Sequence, residues 1–228
     1  MNFAVVLAGG TGSRAGGDVP KQFVKVNNLP MIAYCFESLC ASDHADVCVT
    51  VCESIYESMI GECFPAGKTL IFAKPGKTRQ LSILSALDKI REEFDTKEST
   101  VMVYDAARPY VSIELIDSMY LTLKDHDGVM PVLPMKDTVY ECKAGKISGL
   151  LDRSVIFAGQ APELFVFDKY YEANAVLKDS GIENINGSSE PAIMAGMDIV
   201  TVPGDEKNIK ITTRKDLEDF INARNSIK

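Results

Sequence analysis

The strongest constraint lies near the start of the chain. Residues 4–8 form a short, nearly all-apolar run, the pattern of a strand buried on both faces. Residues 9–20 follow at once with five glycines and no apolar period, so the chain leaves that strand as a loop. A strand of this kind needs neighbours, and the next segments supply them. Residues 47–51 are β-rich, residues 69–72 read as a short strand, and residues 100–104 form a second buried strand ending at Asp105. Helical patterns lie between them. Pro30 opens one through about residue 41, with Ile32, Phe36 and Leu39 on one face. Residues 53–63 and 113–123 read as helices, and Leu81, Leu84, Leu87 and Ile90 recur at helical spacing within 79–94. Strand and helix alternate, which predicts the α/β class: an open, mostly parallel sheet flanked by helices, with right-handed crossovers.

The second half is less regular. Residues 138–142 and 147–151 flank Lys143-Ala144-Gly145-Lys146, which predicts a β-hairpin. Inserted in an α/β fold, it is either an arm reaching a partner subunit or a plain surface hairpin. Residues 166–179 read as helix, 198–202 as strand and 213–227 as a C-terminal helix. No internal repeat or linker interrupts the pattern, so one domain over residues 1–228 is expected, with the arm at about 136–153.

Charge and cysteine usage exclude several classes. The chain carries 24 Lys and Arg against 32 Asp and Glu, a net charge of −8. Nucleic-acid binding needs many phosphate contacts and is not expected. An anionic ligand therefore has to be held by a local basic cluster. No apolar run approaches the roughly 18–20 residues of a membrane span. The first residues lack the pattern of a signal peptide, and a cytoplasmic location is expected. The six cysteines (35, 40, 48, 52, 63 and 142) form no C-x-x-C, which points to reduced thiols and away from zinc. His44 and His126 sit in polar, loop-like surroundings and read as surface residues.

The loop after the first strand admits three readings. Gly10-x-Gly12-x-x-Ala15 matches a dinucleotide fingerprint, but Gly16, Gly17 and Pro20 oppose the helix it should open. The acidic residue expected about 20 positions on is Glu37, which falls inside a helical pattern. A P-loop elsewhere fails too: Gly67-Lys68-Thr69 and Gly76-Lys77-Thr78 offer its tail, but Glu62 and Ile71 stand where its first glycine belongs. In the third reading, Arg14 and Lys21 flank a glycine-rich turn that receives a nucleoside triphosphate, as in a nucleotidyltransferase.

Wider spacing narrows these readings. Gly-Gly-x-Gly-x-Arg-x(6)-Pro-Lys-Gln-Phe resembles the signature of sugar- and polyol-phosphate nucleotidyltransferases. Asp105-Ala-Ala-Arg-Pro, Pro134-x-x-Asp-Thr, Asp152-Arg153, Gly159-Gln-Ala-Pro-Glu-Leu-Phe165 and Asn208-Ile-Lys-Ile-Thr-Thr213 follow in order, with Asp216-Leu217 after them. Together they resemble the 2-C-methyl-D-erythritol 4-phosphate cytidylyltransferases and their sister family, the ribitol-5-phosphate cytidylyltransferases. The resemblance runs from residue 4 to about 217.

That resemblance implies a Rossmann-like nucleotidyltransferase fold and a homodimer made through the hairpin arm. It also implies CTP and a small polyol phosphate as substrates, and Mg²⁺ as cofactor. By match to the family motif, Arg14, Lys21 and Lys210 are the catalytic cations. Ala8, Gly9, Gly10, Thr11, Gly12, Gly76, Arg79, Ser82 and Asp105 are expected around CTP, although Ser82 also reads as an ordinary helix-surface residue. Asp105, Arg108, Thr138 and Arg153 are expected at the polyol phosphate, some of them across the dimer interface. Asp105 is also a tentative metal ligand, with Mg²⁺ held mainly by phosphates.

The chain departs from the pattern in places. The family carries a second glycine before the position of Gly76 and an acidic residue after it, where this chain has Pro75 and Lys77. A Thr-Asp-acidic-Ala run is replaced by Asn186-Gly-Ser-Ser-Glu-Pro-Ala192, and Gln-Thr-Pro-Gln by Gln160-Ala-Pro-Glu163. Methylerythritol phosphate is the expected acceptor, and ribitol 5-phosphate or a related polyol phosphate stays open. So does a non-catalytic nucleotide-binding module.

Overall fold

A computed structural model describes residues 1–10 and 19–226. The strands are β1 (Asn2–Leu7), β2 (Lys25–Val26), β3 (Leu29–Pro30), β4 (Val47–Val51), β5 (Thr69–Ala73), β6 (Thr100–Asp105), β7 (Gly128–Pro134), β8 (Val139–Lys143), β9 (Lys146–Leu151), β10 (Phe157–Gly159), β11 (Glu163–Val166) and β12 (Ile199–Pro203). The helices are α1 (Met31–Ala41), α2 (Glu57–Cys63), α3 (Arg79–Glu93), α4 (Ile113–Leu123), α5 (Phe167–Ala175), α6 (Glu190–Met194) and α7 (Arg214–Ser226).

The main sheet runs β5-β4-β1-β6-β11-β7-β12, with β10 pairing farther along β7. β1, β4, β5 and β6 are mutually parallel. The sequence pattern accounts for these strands: Phe3 to Val6 and all five residues of β4 are buried, as two-sided coverage demands. One face packs on α1, α2 and α4 through Ala4, Val6, Phe36, Ile60 and Met119. The other packs on α3 and α5 through Phe3, Val5, Val103, Ile83, Leu87 and Tyr170.

The sheet is mostly parallel, as expected, and it holds two antiparallel strands. β10 and β11 run antiparallel to β7, and β11 is also antiparallel to β6. β7, β10 and β11 were not legible as strands, because they are short or carry Pro131 and Pro134 without alternation. The helix expected over 166–179 ends at Ala175, and a further short helix, α6, carries Pro191 in its first turn. Residues 53–63 begin as a 3₁₀ turn before α2.

β8 and β9 form a separate two-stranded antiparallel sheet, as expected for the hairpin. Ala144 and Gly145 make its turn, with φ of 49° and 77°. Positive φ at both positions is the two-residue geometry that matches strand twist.

Candidate active site

The parallel strands β1 and β6 end side by side, with Leu7 in register opposite Asp105. Carboxyl ends of adjacent strands are where open α/β sheets form ligand crevices. A cavity of about 450 Å³ opens there, lined by Gly9, Gly10, Lys21, Gln22, Gly76, Lys77, Thr78, Arg79, Ser82, Asp105, Ala107 and Lys210, with Leu7 at its floor.

One wall is the start of the loop after β1. The N–H of Ala8 donates to the Val51 carbonyl at 2.9 Å, carrying the β1 pairing one residue further. Gln22, on the short 3₁₀ turn Lys21–Phe23, is buried beneath the loop. Its Nε2 donates to the carbonyls of Ala8 and Gly10, both at 2.7 Å. Both amide hydrogens are thereby used to fix the loop's exit. Phe23 anchors the turn by stacking on Tyr56, 3.9 Å between ring centroids. Lys21 is therefore presented at the cavity by a packed turn.

The facing wall is the turn before α3. A Cβ on Gly76 would fall 2.5 Å from Leu81 Cβ and 2.7 Å from its carbonyl carbon, so the turn requires glycine. A Cβ on Gly9 would meet Pro75 Cβ at 2.6 Å, which packs Pro75, one of the departures from the family pattern, directly against the loop of β1. Thr78 caps α3 by accepting the Leu81 N–H at 3.2 Å. The helix N-terminus at this wall favours anions. The Ser82 hydroxyl accepts the Gly76 N–H at 3.0 Å and donates to the Thr78 carbonyl at 2.9 Å. Ser82 thus closes the turn that presents Gly76, which is more than a neutral helix-surface position.

Asp105 stands between the walls. Arg79 Nη2 approaches its Oδ1 at 3.1 Å, Lys210 Nζ its Oδ2 at 2.9 Å, and Arg108 Nε its Oδ2 at 3.8 Å. Burial pushes the Asp105 carboxyl up, but Arg79 and Lys210 outweigh it and hold it down at about 2. Its carboxylate stays ionised at any working pH.

Lys210 reaches the cavity on a loop that is tied down on both sides. Gln160, 7% exposed, donates to the Asp205 carbonyl at 2.9 Å and accepts the Asp205 N–H at 3.0 Å. Asn208 donates to the Ala161 carbonyl at 2.8 Å, and Arg108 Nη1 donates to the Asn208 carbonyl at 2.6 Å. Just past Lys210, the carboxylate of Asp216 accepts from Thr212 N, Thr212 Oγ1 and Thr213 N at 2.7–2.9 Å.

The structure thus brings Gly9, Gly10, Lys21, Gly76, Arg79, Ser82, Asp105 and Lys210 to one cavity, over the buried Ala8. Arg108 does not line it; its guanidinium binds the Lys210 loop and faces Asp105 from beneath. Thr138 and Arg153 are exposed at the base of the hairpin, away from this cavity, and Arg153 donates to the Lys136 carbonyl at 2.7 Å. Thr11, Gly12 and Arg14 lie outside the described residues. His44 pairs with Asp117 and His126 with Asp198, both apart from the cavity. Sequence reasoning missed Gln22, whose signal was its place in Pro-Lys-Gln-Phe, and the Gln160–Asn208 brace, whose partners are far apart in sequence.

Among the described residues, no three or more His, Cys, Asp or Glu come together as a metal cluster. Among the described residues Asp105 is the carboxylate on the cavity wall, and Arg79 and Lys210 engage both of its oxygens. Such a wall fits Mg²⁺ carried on substrate phosphates, since that ion keeps several waters and needs few protein ligands.

Residues 2–223 match the family model described as IspD, 2-C-methyl-D-erythritol 4-phosphate cytidylyltransferase. The chain belongs to this family. The 2-C-methyl-D-erythritol 4-phosphate cytidylyltransferase of Roseobacter denitrificans is 30% identical to it over 224 residues, 97% of either chain. A bifunctional enzyme IspD/IspF of Maricaulis maris is 30% identical over 218 residues, and this chain spans about half of it, 55%. The crystal structure of the Francisella tularensis IspD matches with a TM-score of 0.80 at 25% identity, over 98% of this chain and 100% of that one. Membership of this family removes the dinucleotide reading of the first loop.

Proposed function

We propose that this chain transfers CMP from CTP to 2-C-methyl-D-erythritol 4-phosphate and releases pyrophosphate, a step of isoprenoid precursor synthesis. The observation that carries the reading is the convergence of Lys21, Arg79 and Lys210 on one cavity whose walls are Gly9-Gly10 and Gly76. Family membership over residues 2–223 favours methylerythritol phosphate over ribitol phosphate.

In this reading, an oxygen of the acceptor phosphate bonds to the α-phosphorus of CTP. The bond from that phosphorus to the oxygen bridging to the β-phosphate breaks, and pyrophosphate departs. A phosphate oxygen is already nucleophilic at neutral pH, so no strong base is required. The residues' work is alignment and neutralisation of charge on phosphoryl oxygens. Arg14 and Lys21 serve the triphosphate, and Lys210 and Arg79 serve the reacting phosphates. Gly9, Gly10 and Gly76 let backbone groups approach the nucleotide closely. When bound with the substrates, Mg²⁺ would supply further charge neutralisation beside Lys21, Arg79 and Lys210.

We infer one catalytic domain that works as a homodimer. The hairpin, the short turn after it and the next strand expose Tyr140, Ile147, Leu150, Val155 and Phe157, an apolar surface suited to a second copy. Thr138 and Arg153 at its base would then complete the acceptor site of the other subunit. Pyrophosphate release from CTP and each candidate acceptor tests the chemistry, and sedimentation tests the dimer.

A further inference from the structure

A second carboxylate stands one step behind the Asp105 cluster. Glu163 of β11 pairs in register with Val103 of β6. Val103 and Asp105 lie two apart on one strand, so their side chains leave the same face. Directly opposed residues share a face, which puts Glu163 there too. Phe165, two residues beyond Glu163, packs in the same layer as Val103 and Ile83 of α3. Arg79 enters from α3.

Glu163 Oε2 is shut off from solvent and accepts no hydrogen bond, and the Oγ of Ser188 is buried and likewise unpartnered. The charged and titratable groups that act on Glu163 are Arg79 of α3, Asp105 and Arg108 at the end of β6, and Tyr170 of α5. Burial pushes its carboxyl above the ordinary value, and the two arginines oppose that rise. Two departures from the family pattern meet here. Glu163 stands where the pattern has Gln, and Ser188 lies in the stretch where the pattern has Thr-Asp.

The charge count gives the carboxylate a purpose. Arg79, Arg108 and Lys210 share the single Asp105, which leaves that cluster at +2. Like charges in a buried site repel strongly. We propose that Glu163 tunes the charge of this centre: a buried second carboxylate on the same sheet face as Asp105, it lowers the net charge of the Asp105 cluster from +2 to +1. A site at the lower charge releases anionic products more readily. The inference deepens, and rests on, the nucleotidyltransferase reading of the cavity.

The test is anion binding by the full chain at pH 8, with sulfate and pyrophosphate as ligands, followed by calorimetry or by competition against CTP. Glu163→Gln is nearly isosteric and removes the charge; it binds both anions roughly three- to tenfold more tightly than wild type. Glu163→Asp keeps the charge and stays within about twofold of wild type. Glu163→Ala also removes the charge; it binds sulfate more tightly than wild type and carries the test if Glu163→Gln does not fold. Equal or weaker anion binding in the folded charge-removing variant would overturn the proposal. These readouts need no turnover, so they stay separate from a failure of the proposed reaction.

Discussion

Lys210 Nζ lies 2.9 Å from one oxygen of Asp105, while Arg79 Nη2 lies 3.1 Å from the other. One ionised carboxylate therefore aims two cations from opposite walls, one on the loop past β12 and one at the start of α3. Substrate phosphates meet cations already oriented, which spares reorganisation during the reaction.

Lys210→Met should lower kcat by on the order of 10²–10³ with little change in melting temperature. The side chain is 39% exposed and is not part of the core. Steady-state kinetics beside a thermal melt checks this. A large loss of stability would make Lys210 a structural residue instead.

Gln22→Leu should loosen the Ala8–Gly10 segment. It strands the carbonyls of Ala8 and Gly10, at a cost of about 1–3 kcal/mol if they stay buried. CTP affinity measured by calorimetry should fall together with stability. Unchanged CTP affinity would detach Gln22 from the nucleotide site.

Gly76→Ala should be damaging despite its small size. The added methyl meets Leu81 Cβ and the Leu81 and Ser82 backbone at under 3.0 Å, so the turn or the first turn of α3 must move. The expected readout is a several-fold loss of CTP affinity in a folded protein.

Acid stability should report Asp105. Its folded-state value, about 2, lies below the ordinary 3.8, so its pairing stabilises the fold above that ordinary value. The contribution fades as pH falls from about 4 toward 2. Denaturation midpoints across this window should drop less steeply in Asp105→Asn than in wild type. Asp216, also held below the usual carboxylate range by Thr212 and Thr213, keeps titrating in both proteins.

Much of this was legible because it is local. The apolar run of β1, the glycines after it, the strand ending at Asp105 and the helical period of α3 are short-range patterns, and they placed Gly9 and Gly10 after β1, Asp105 at the end of β6 and Arg79 at the start of α3. The antiparallel strands were not legible. β11 has four residues and takes its identity from β6 and β7 on either side, which local pattern does not encode. The Lys210 brace depends on contacts such as Gln160 to Asp205, 45 residues apart. The motif order supplied Lys210 and Arg108, but only the fold shows Arg108 turned toward the Asn208 carbonyl.

The most direct measurement is pyrophosphate release by the wild-type chain with CTP and Mg²⁺. 2-C-methyl-D-erythritol 4-phosphate and ribitol 5-phosphate would be offered side by side, with Lys21→Ala as control. The account predicts turnover with the methylerythritol substrate, little with ribitol 5-phosphate, and loss of turnover in the folded control. Turnover confined to ribitol 5-phosphate, or none with either acceptor in a protein that binds CTP, would contradict it.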